Sequence, residues 1–249
     1  MTPQVIDIKL PTCWSALSEK ELRYVYRLVA YGYNADAVKT RCLLRWARMK
    51  FRYRDSKKVF VCILDGNEYR VSAESIAECL AALEWMETPS PVPVALPRIG
   101  RHRAFPADMA RVPLETYLIC DNLFQGYLQT RSEKCLTDMA SLLYGHRFSR
   151  LKPGETISVF YWYASLKTYM VNRWPNLFLQ SADSNLLGAP TALSARQIQS
   201  NVDTIIRALT KGDVTKEKEI LALDTHRALT ELDAQAREYR EINSKIHSK

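Results

Sequence analysis

The stretch ETISVFYWYASLKTYMVNR, residues 155–173, is apolar on nearly every side of a helix and stops just before Pro175. Such a segment is typical of a helix buried at the centre of a domain. It is not a membrane span, because its unbroken apolar runs are far shorter than the ~20 residues that a bilayer requires, and Lys167 and Arg173 interrupt it. We therefore predict a mainly α fold organised around this buried helix.

Helical periodicity continues on both sides of this segment. It predicts helices over 113–130, 133–144 and 194–210, with a loop over 181–193. From Thr215 onward the chain is charge-balanced, and a spacing of four and three residues predicts a long C-terminal helix. Its seam consists of Leu221, Thr225, Ala228, Leu232, Gln235, Tyr239, Ile242 and Ile246.

This terminal seam has two interpretations. The helix packs on its own domain at its start and frays at its end, or it binds a partner or a second copy of the chain by burying apolar side chains. For the second interpretation the candidate contact residues are Leu232, Tyr239 and Ile242.

The N-terminal part predicts a small mixed unit. Ser18 and Glu21 form a capping box that starts a helix at about residue 19, and a second helix is predicted from Ala35 to about Phe51. A β-branched apolar run followed by Asp65-Gly66 predicts one β-hairpin over about 58–71. Ser72 then caps another helix.

A proline-rich segment, TPSPVPVALP at 88–97, marks the candidate domain boundary, because proline biases the chain toward extended geometry. We predict an N-terminal unit over 1–87, a proline-rich and basic connector over 88–112, and a C-terminal helical unit over 113–249.

Positive charge is concentrated in one segment. Residues 39–58 carry nine Lys or Arg and a single acidic residue, Asp55. The net charge of this segment is therefore +8, which equals the net charge of the whole chain. On a helical wheel Arg41, Arg45, Arg48 and Arg52 line one face. The face is a solvated one, a docking surface for an anionic partner protein, or a nucleic-acid contact. Arg101 and Arg103, in PRIGRHRAF, form a second candidate contact or an exposed loop.

No motif for catalysis or for cofactor binding stands out. The sequence contains no phosphate-binding glycine loop, no HExxH and no GxSxG, and no two of its four histidines have the i, i+4 spacing of a helical metal site. Its six cysteines form no CxxC pair. We therefore predict no enzyme, no cofactor and no metal.

Three stretches, LPTCWSALSEKELRYVYRLVA (10–30), PRIGRHRAFPADMARVPLETYLICDNLFQGYLQT (97–130) and ALTKGDVTKEKEILALDTHRALTELDAQAREYRE (208–241), together resemble helical proteins encoded in prophage tail-assembly regions near the tape-measure gene. The resemblance implies a non-enzymatic role in phage tail morphogenesis, as a tail-assembly chaperone or a minor virion structural component. It implies the tape-measure or tube protein, or a second copy, as partner, and a location in the cytoplasm of the bacterial host or in the virion. The competing hypothesis is a nucleic-acid-binding phage or regulatory protein that uses the basic segment 39–58.

Overall fold

The structure, a computed structural model, describes residues 8–56, 58–64, 66–178 and 195–247. Its fold is mainly α, as the sequence predicts. The chain divides into two compact units: unit 1 comprises Met1–Ser90 and Pro153–Ile157, and unit 2 comprises Pro91–Lys152 and Ser158–Lys249. Of the connector predicted over 88–112, residues 91–112 group with unit 2 and residues 88–90 with unit 1. The loop predicted over 181–193 lies outside the described residues.

The helices of unit 1 begin at polar caps. In α1 (Glu19–Ala30) the Ser18 hydroxyl accepts a hydrogen bond from the Glu21 amide, and the Glu21 carboxylate accepts one from the Ser18 amide, which confirms the capping box. Asn34 caps α2 (Ala35–Trp46), and Ser72 caps α3 (Ala73–Ala81). Each cap satisfies an amide that the first helical turn leaves without a partner.

Unit 1 also contains a three-stranded antiparallel sheet in the order β1-β2-β3, with β1 at Met49–Ser56, β2 at Val59–Leu64 and β3 at Asn67–Ser72. The β2–β3 pair is the hairpin that the sequence predicts. Strand β1 was not predicted. The prediction that the second helix continues to about Phe51 is wrong, because α2 ends at Trp46.

The core of unit 1 is built on Trp14. Its ring stacks on Tyr26 at 5.9 Å between centroids and meets Trp85 edge-on at 5.5 Å, and its indole N–H donates to the Thr88 carbonyl at 2.9 Å. The first turn of α6 (Pro153–Arg173) joins this unit at Gly154, where a Cβ atom would stand only 3.2 Å from the Arg27 amide nitrogen. Glycine is therefore the residue that permits this close approach of α6 to α1.

Unit 2 consists of helices and one short hairpin. No helix in the described ranges is both long enough and apolar enough to cross a membrane. The elements, apart from the greater part of α6, are β4 (Arg98–Ile99), β5 (His102–Arg103), α4 (Leu114–Thr130), α5 (Glu133–Leu143), α7 (Pro175–Phe178), α8 (Ala195–Thr210), α9 (Glu217–Leu221) and α10 (Thr225–His247).

The interior of unit 2 confirms that α6 is a buried helix, since five of its apolar side chains are at most 1% exposed: Val159, Trp162, Tyr163, Leu166 and Met170. Polar hydrogen bonds tie the preceding loops to this core. The Trp162 indole donates to the Ala107 carbonyl at 2.7 Å, and the Tyr144 hydroxyl donates to the Leu96 carbonyl at 2.8 Å. The long C-terminal helix is also present as predicted.

Candidate interaction surfaces

The predicted arginine stripe is not one helix face. Arg41 and Arg45 lie on α2, but Arg48 follows the helix with φ of 53°, and Arg52 lies on β1. A positive φ at a residue other than glycine reverses the chain direction and is incompatible with a continuing right-handed helix. The helical-wheel prediction is therefore wrong beyond Arg45. A sequence signal for the strand exists, since Lys50-Phe51-Arg52-Tyr53-Arg54 alternates charged and aromatic residues with the period of a strand.

The two arginines that do share a helix face are stacked on tyrosines. The guanidinium of Arg41 lies 4.2 Å from the ring centroid of Tyr33, and that of Arg45 lies 4.3 Å from the centroid of Tyr24. Both arginines are exposed. Stacking leaves the guanidinium N–H groups at the ring edge open to an anion and lowers the entropy lost when an anion binds.

Other cations of this region are neutralised. Lys39 is buried and pairs with Glu87 and Asp36, and Arg52 pairs with Glu68. By contrast, within the described part of the chain no carboxylate lies within ion-pair distance of four exposed cations. They form the α2–β1 basic surface, which we define as Arg41, Arg45, Arg48 and Lys50.

Strand β1 also carries exposed aromatic side chains. Phe51 and Tyr53 are 53% and 44% exposed. β1 stands at the end of the strand order, and its pairing with β2 is shifted between Phe51 and Tyr53 and again between Arg54 and Ser56. Bulges and cationic side chains on an edge strand oppose pairing with another strand, so this surface presents side chains rather than an open backbone edge.

The second predicted basic contact lies in unit 2, on the hairpin of β4 and β5. Arg101 and Arg103 are exposed, and neither has a carboxylate within ion-pair distance among the described residues. Between them, the His102 ring stacks on His146 with centroids 3.6 Å apart. Desolvation, His146 and Arg101 together lower the pKa of His102, so the neutral imidazole is favoured there. No pattern in the sequence indicates this histidine pair, because its members are far apart in the chain.

The terminal seam is divided by the fold. Leu221 ends α9 and so does not belong to α10. Thr225 and Ala228 are fully buried and Leu232 is only 5% exposed, so Leu232 is a core residue and not an open contact residue, which corrects the prediction. The side chain of Ile246 lies outside the described residues.

Among the large apolar side chains of α10 that the structure describes, Tyr239 and Ile242 are the exposed ones, at 61% and 58%. Of the three seam residues predicted as contacts, two are thus exposed and one is buried.

A half-buried polar cluster in unit 2 is the arrangement that most resembles a catalytic one. Lys167 donates to Asp121 at 2.7 Å, and the Tyr163 hydroxyl donates to the same carboxylate oxygen at 3.2 Å. Burial alone lowers the pKa of Lys167, but the Asp121 charge outweighs it and the pKa is raised. Lys167 therefore stays protonated and holds α6 against α4, which is the behaviour of a structural ion pair.

The remaining chemistry-bearing groups are dispersed. Burial raises the pKa of the Cys42 and Cys120 thiols to about 12, which keeps both protonated at neutral pH. In the described ranges, three or more His, Cys, Asp or Glu side chains nowhere come together as metal ligands would.

Comparison with models of known protein families, with curated proteins and with solved structures gives no match.

Proposed function

We propose that the protein acts without catalysis in phage tail morphogenesis, as a tail-assembly chaperone or a minor structural component, through contacts with other proteins in the host cytoplasm or in the virion. The resemblance of residues 10–30, 97–130 and 208–241 supports the setting. The observation that carries the mode of action is the exposed pair Tyr239 and Ile242, three residues apart on α10. The partner is the tape-measure protein, the tube protein or a second copy of this chain.

The exposed pair lies on a helix that hydrogen bonds hold at residues before the pair and between its two members. Trp174 donates to the Thr230 hydroxyl at 3.0 Å, Asp233 accepts from the Leu177 amide at 2.9 Å, and Arg240 donates to the Asn176 carbonyl. These contacts fix α10 against α7 within unit 2. A helix ordered before binding loses less entropy when a partner helix packs on it, which favours recognition of a helical chain such as the tape-measure protein.

Co-expression with the tape-measure protein and with the tube protein tests this proposal. We expect co-purification with one of them and a larger soluble fraction of the tape-measure protein when this chain is present. The double variant Tyr239→Glu with Ile242→Glu should lose both effects, because two charges in an apolar helix interface are left unpaired.

The matched control is Val214→Glu. Val214 is 80% exposed and lies in a turn of the same unit, outside the seam. It adds an acidic charge at an equally open apolar site and should leave co-purification intact. Equal binding by the double variant and the parent chain contradicts the proposal, and so does no binding to either protein by a parent chain that is monomeric in size-exclusion chromatography with light scattering.

A second candidate function, nucleic-acid binding, is favoured by the aromatic residues of β1. Exposed Phe51 and Tyr53 lie on the strand that carries Lys50, and bases stack on such rings while cations contact phosphates. Binding to single- and double-stranded DNA is measured from low to physiological salt, where phosphate contacts weaken steeply.

Under this second proposal Arg45→Glu with Arg48→Glu abolishes binding. Lys20→Glu with Arg237→Glu makes the same change in net charge at exposed sites outside the α2–β1 basic surface and keeps binding. No retention on DNA at low salt, or equal loss in both double variants, removes nucleic-acid binding by this surface.

A further inference from the structure

Two helices of unit 1 carry exposed pairs of opposite charge. Arg41 and Arg45 lie on α2, and Glu74 and Glu78 lie on α3. The members of each pair are four residues apart, which places them on one face of their helix, one turn from each other. We call Arg41 with Arg45 the basic row and Glu74 with Glu78 the acidic row. The acidic row belongs to a stretch, 73–87, that contains four Glu and no Lys or Arg.

Neither row is neutralised by its own chain. In the described ranges no carboxylate lies within ion-pair distance of the basic row, and no Lys or Arg lies within that distance of the acidic row. Neighbouring charges of the same unit do form pairs, since Lys39 pairs with Glu87, and Arg70 lies 3.4 Å from Asp55. Unit 1 therefore folds with two rows of opposite charge that its own side chains leave unpaired.

The basic row is ordered and has aromatic neighbours. Arg41 stacks on Tyr33 and Arg45 on Tyr24, so each guanidinium loses less freedom when it meets a carboxylate. Tyr33 remains 38% exposed, and Tyr31, which follows α1, is 68% exposed. Arg and Tyr are enriched among the residues that dominate the energy of protein interfaces. The surface thus has the composition of a protein contact.

The acidic row is accessible to a second helix. Ala77 and Ala81 are exposed, and their spacing places them on the same side of α3 as Glu74 and Glu78. Because the distance between packed helices depends on the side chains at the contact, these alanines permit a close approach. A partner helix can therefore reach both carboxylates.

We infer that the basic row of one copy of this chain binds the acidic row of a second copy. The two rows have the same spacing, so two guanidiniums meet two carboxylates at once in charge-assisted hydrogen bonds. A nucleic acid would pair with the basic row but would be repelled by the acidic row, whereas a second copy satisfies both. The inference rests on the proposed function in that a second copy is one of the partners named there, but it uses unit 1 and not α10.

The mass of the full chain in solution tests this inference. Sedimentation equilibrium gives the dissociation constant for self-association at low and at high salt. We expect a mass above that of one chain at low salt and a return toward one chain at high salt, because salt screens exposed charges.

Reversal of the charges tests the two rows directly. Arg41→Glu with Arg45→Glu, and separately Glu74→Lys with Glu78→Lys, should each weaken self-association at least about tenfold, since like charges then face each other. An equimolar mixture of the two variants should associate again with about the dissociation constant of the parent chain. Both variants keep a net positive charge, because reversing two charges changes the +8 of the chain by only four. Attraction between net charges therefore does not explain a rescue.

Two matched controls make the same changes in net charge outside the rows. They are Lys20→Glu with Arg237→Glu, and Glu217→Lys with Glu219→Lys, all at exposed positions. Both should associate as the parent chain does. Circular dichroism and thermal unfolding establish that each variant is folded.

A parent chain that stays monomeric at low salt overturns the inference, and so does a mixture that fails to restore association. If the monomeric parent chain is instead retained on oligo-dT, the basic row is a nucleic-acid contact. Self-association that is lost in Tyr239→Glu with Ile242→Glu belongs to α10 and also contradicts the inference. Co-purification with the tape-measure or tube protein should persist in Arg41→Glu with Arg45→Glu, so failure of either proposal leaves the other standing.

Discussion

Two segments of this chain carry apolar or basic residues at steps of three and four, and the fold treats them differently. In residues 41–52 the backbone leaves the helix at Arg48, so the arginines separate onto α2, a turn and β1. In residues 225–242 the backbone stays helical, but the surroundings change from a buried start at Thr225 to an exposed end at Ile242.

The inference from a helical spacing in the sequence to one shared surface therefore depends on two separate assumptions. One is that the backbone is helical along the whole pattern, and the other is that one face of the helix has one environment. The basic segment violates the first assumption, and the terminal seam violates the second. Only local stretches of each pattern, Arg41 with Arg45 and Tyr239 with Ile242, stay together as exposed residues of one helix.

The largest effect should separate the two halves of α10. Leu232→Ala removes a buried side chain and leaves a cavity, which we expect to lower the free energy of unfolding by about 2–5 kcal/mol. Ile242→Ala should change it by less than about 0.5 kcal/mol, since Ile242 is mostly exposed. Urea denaturation followed by circular dichroism measures both. Similar losses in the two variants mean that the end of α10 is also core.

A smaller and pH-dependent effect distinguishes buried from exposed cations in the basic segment. The hydrogen bond to Glu87, opposed by burial and helped by Asp36, raises the pKa of Lys39. Lys39 therefore stabilises the fold fully below its unfolded pKa of about 10.4, and this contribution is lost as the pH rises through the higher folded value.

The measurement for Lys39 is the difference in unfolding free energy between the parent chain and Lys39→Met from pH 7 to 11. We expect a constant difference up to about pH 10 and a decline above it. Lys50→Met, at an exposed site of β1, is the control, with a difference near zero throughout. A Lys39 difference that rises with pH contradicts the assignment.

The positive φ at Arg48 predicts the sign of the stability change when this residue is replaced by glycine. Arg48→Gly relieves the positive φ and should stabilise unit 1 by about 0.5–1 kcal/mol, after the larger entropy of glycine in the unfolded chain is subtracted. In a helix that continued to Phe51, the same change would destabilise by about 1 kcal/mol. Thermal unfolding reports the sign directly, and a lower melting temperature favours the continuous helix.

The smallest effect compares stacking with ion pairing on the same surface. A double-mutant cycle on Arg45 and Tyr24 should give a coupling of about 0.5–1 kcal/mol that persists in high salt. The cycle on Arg52 and Glu68 should give at most about 1 kcal/mol and lose it as salt screens the pair. Equal salt sensitivity of the two couplings argues against a stacked Arg45.

Local signals in the sequence predicted much of the fold. The caps at Ser18 and Ser72 and the β2–β3 hairpin depend on interactions within a few residues, which a sequence displays directly. Strand β1 was not predicted, because its first residues also fit the helical spacing of the arginines before them. The charged and aromatic residues of 50–54 nevertheless alternate with the period of two that is typical of a strand. In the second basic contact the sequence indicates Arg101 and Arg103 but not the stacking of His102 on His146 between them, because the two histidines are far apart in the chain.

Capping, hydrophobic periodicity and composition are properties of neighbouring residues, so the chain alone indicates where helices begin, that the helix over 155–173 contributes core residues, and which segments carry the positive charge. Tertiary structure alone decided that Leu232 is core while Ile242 is exposed, that Lys39 is paired while Arg45 is stacked on Tyr24, and that His102 meets His146. The physical reason is that burial and pairing depend on which distant segments pack together, and no spacing along the chain encodes those partners.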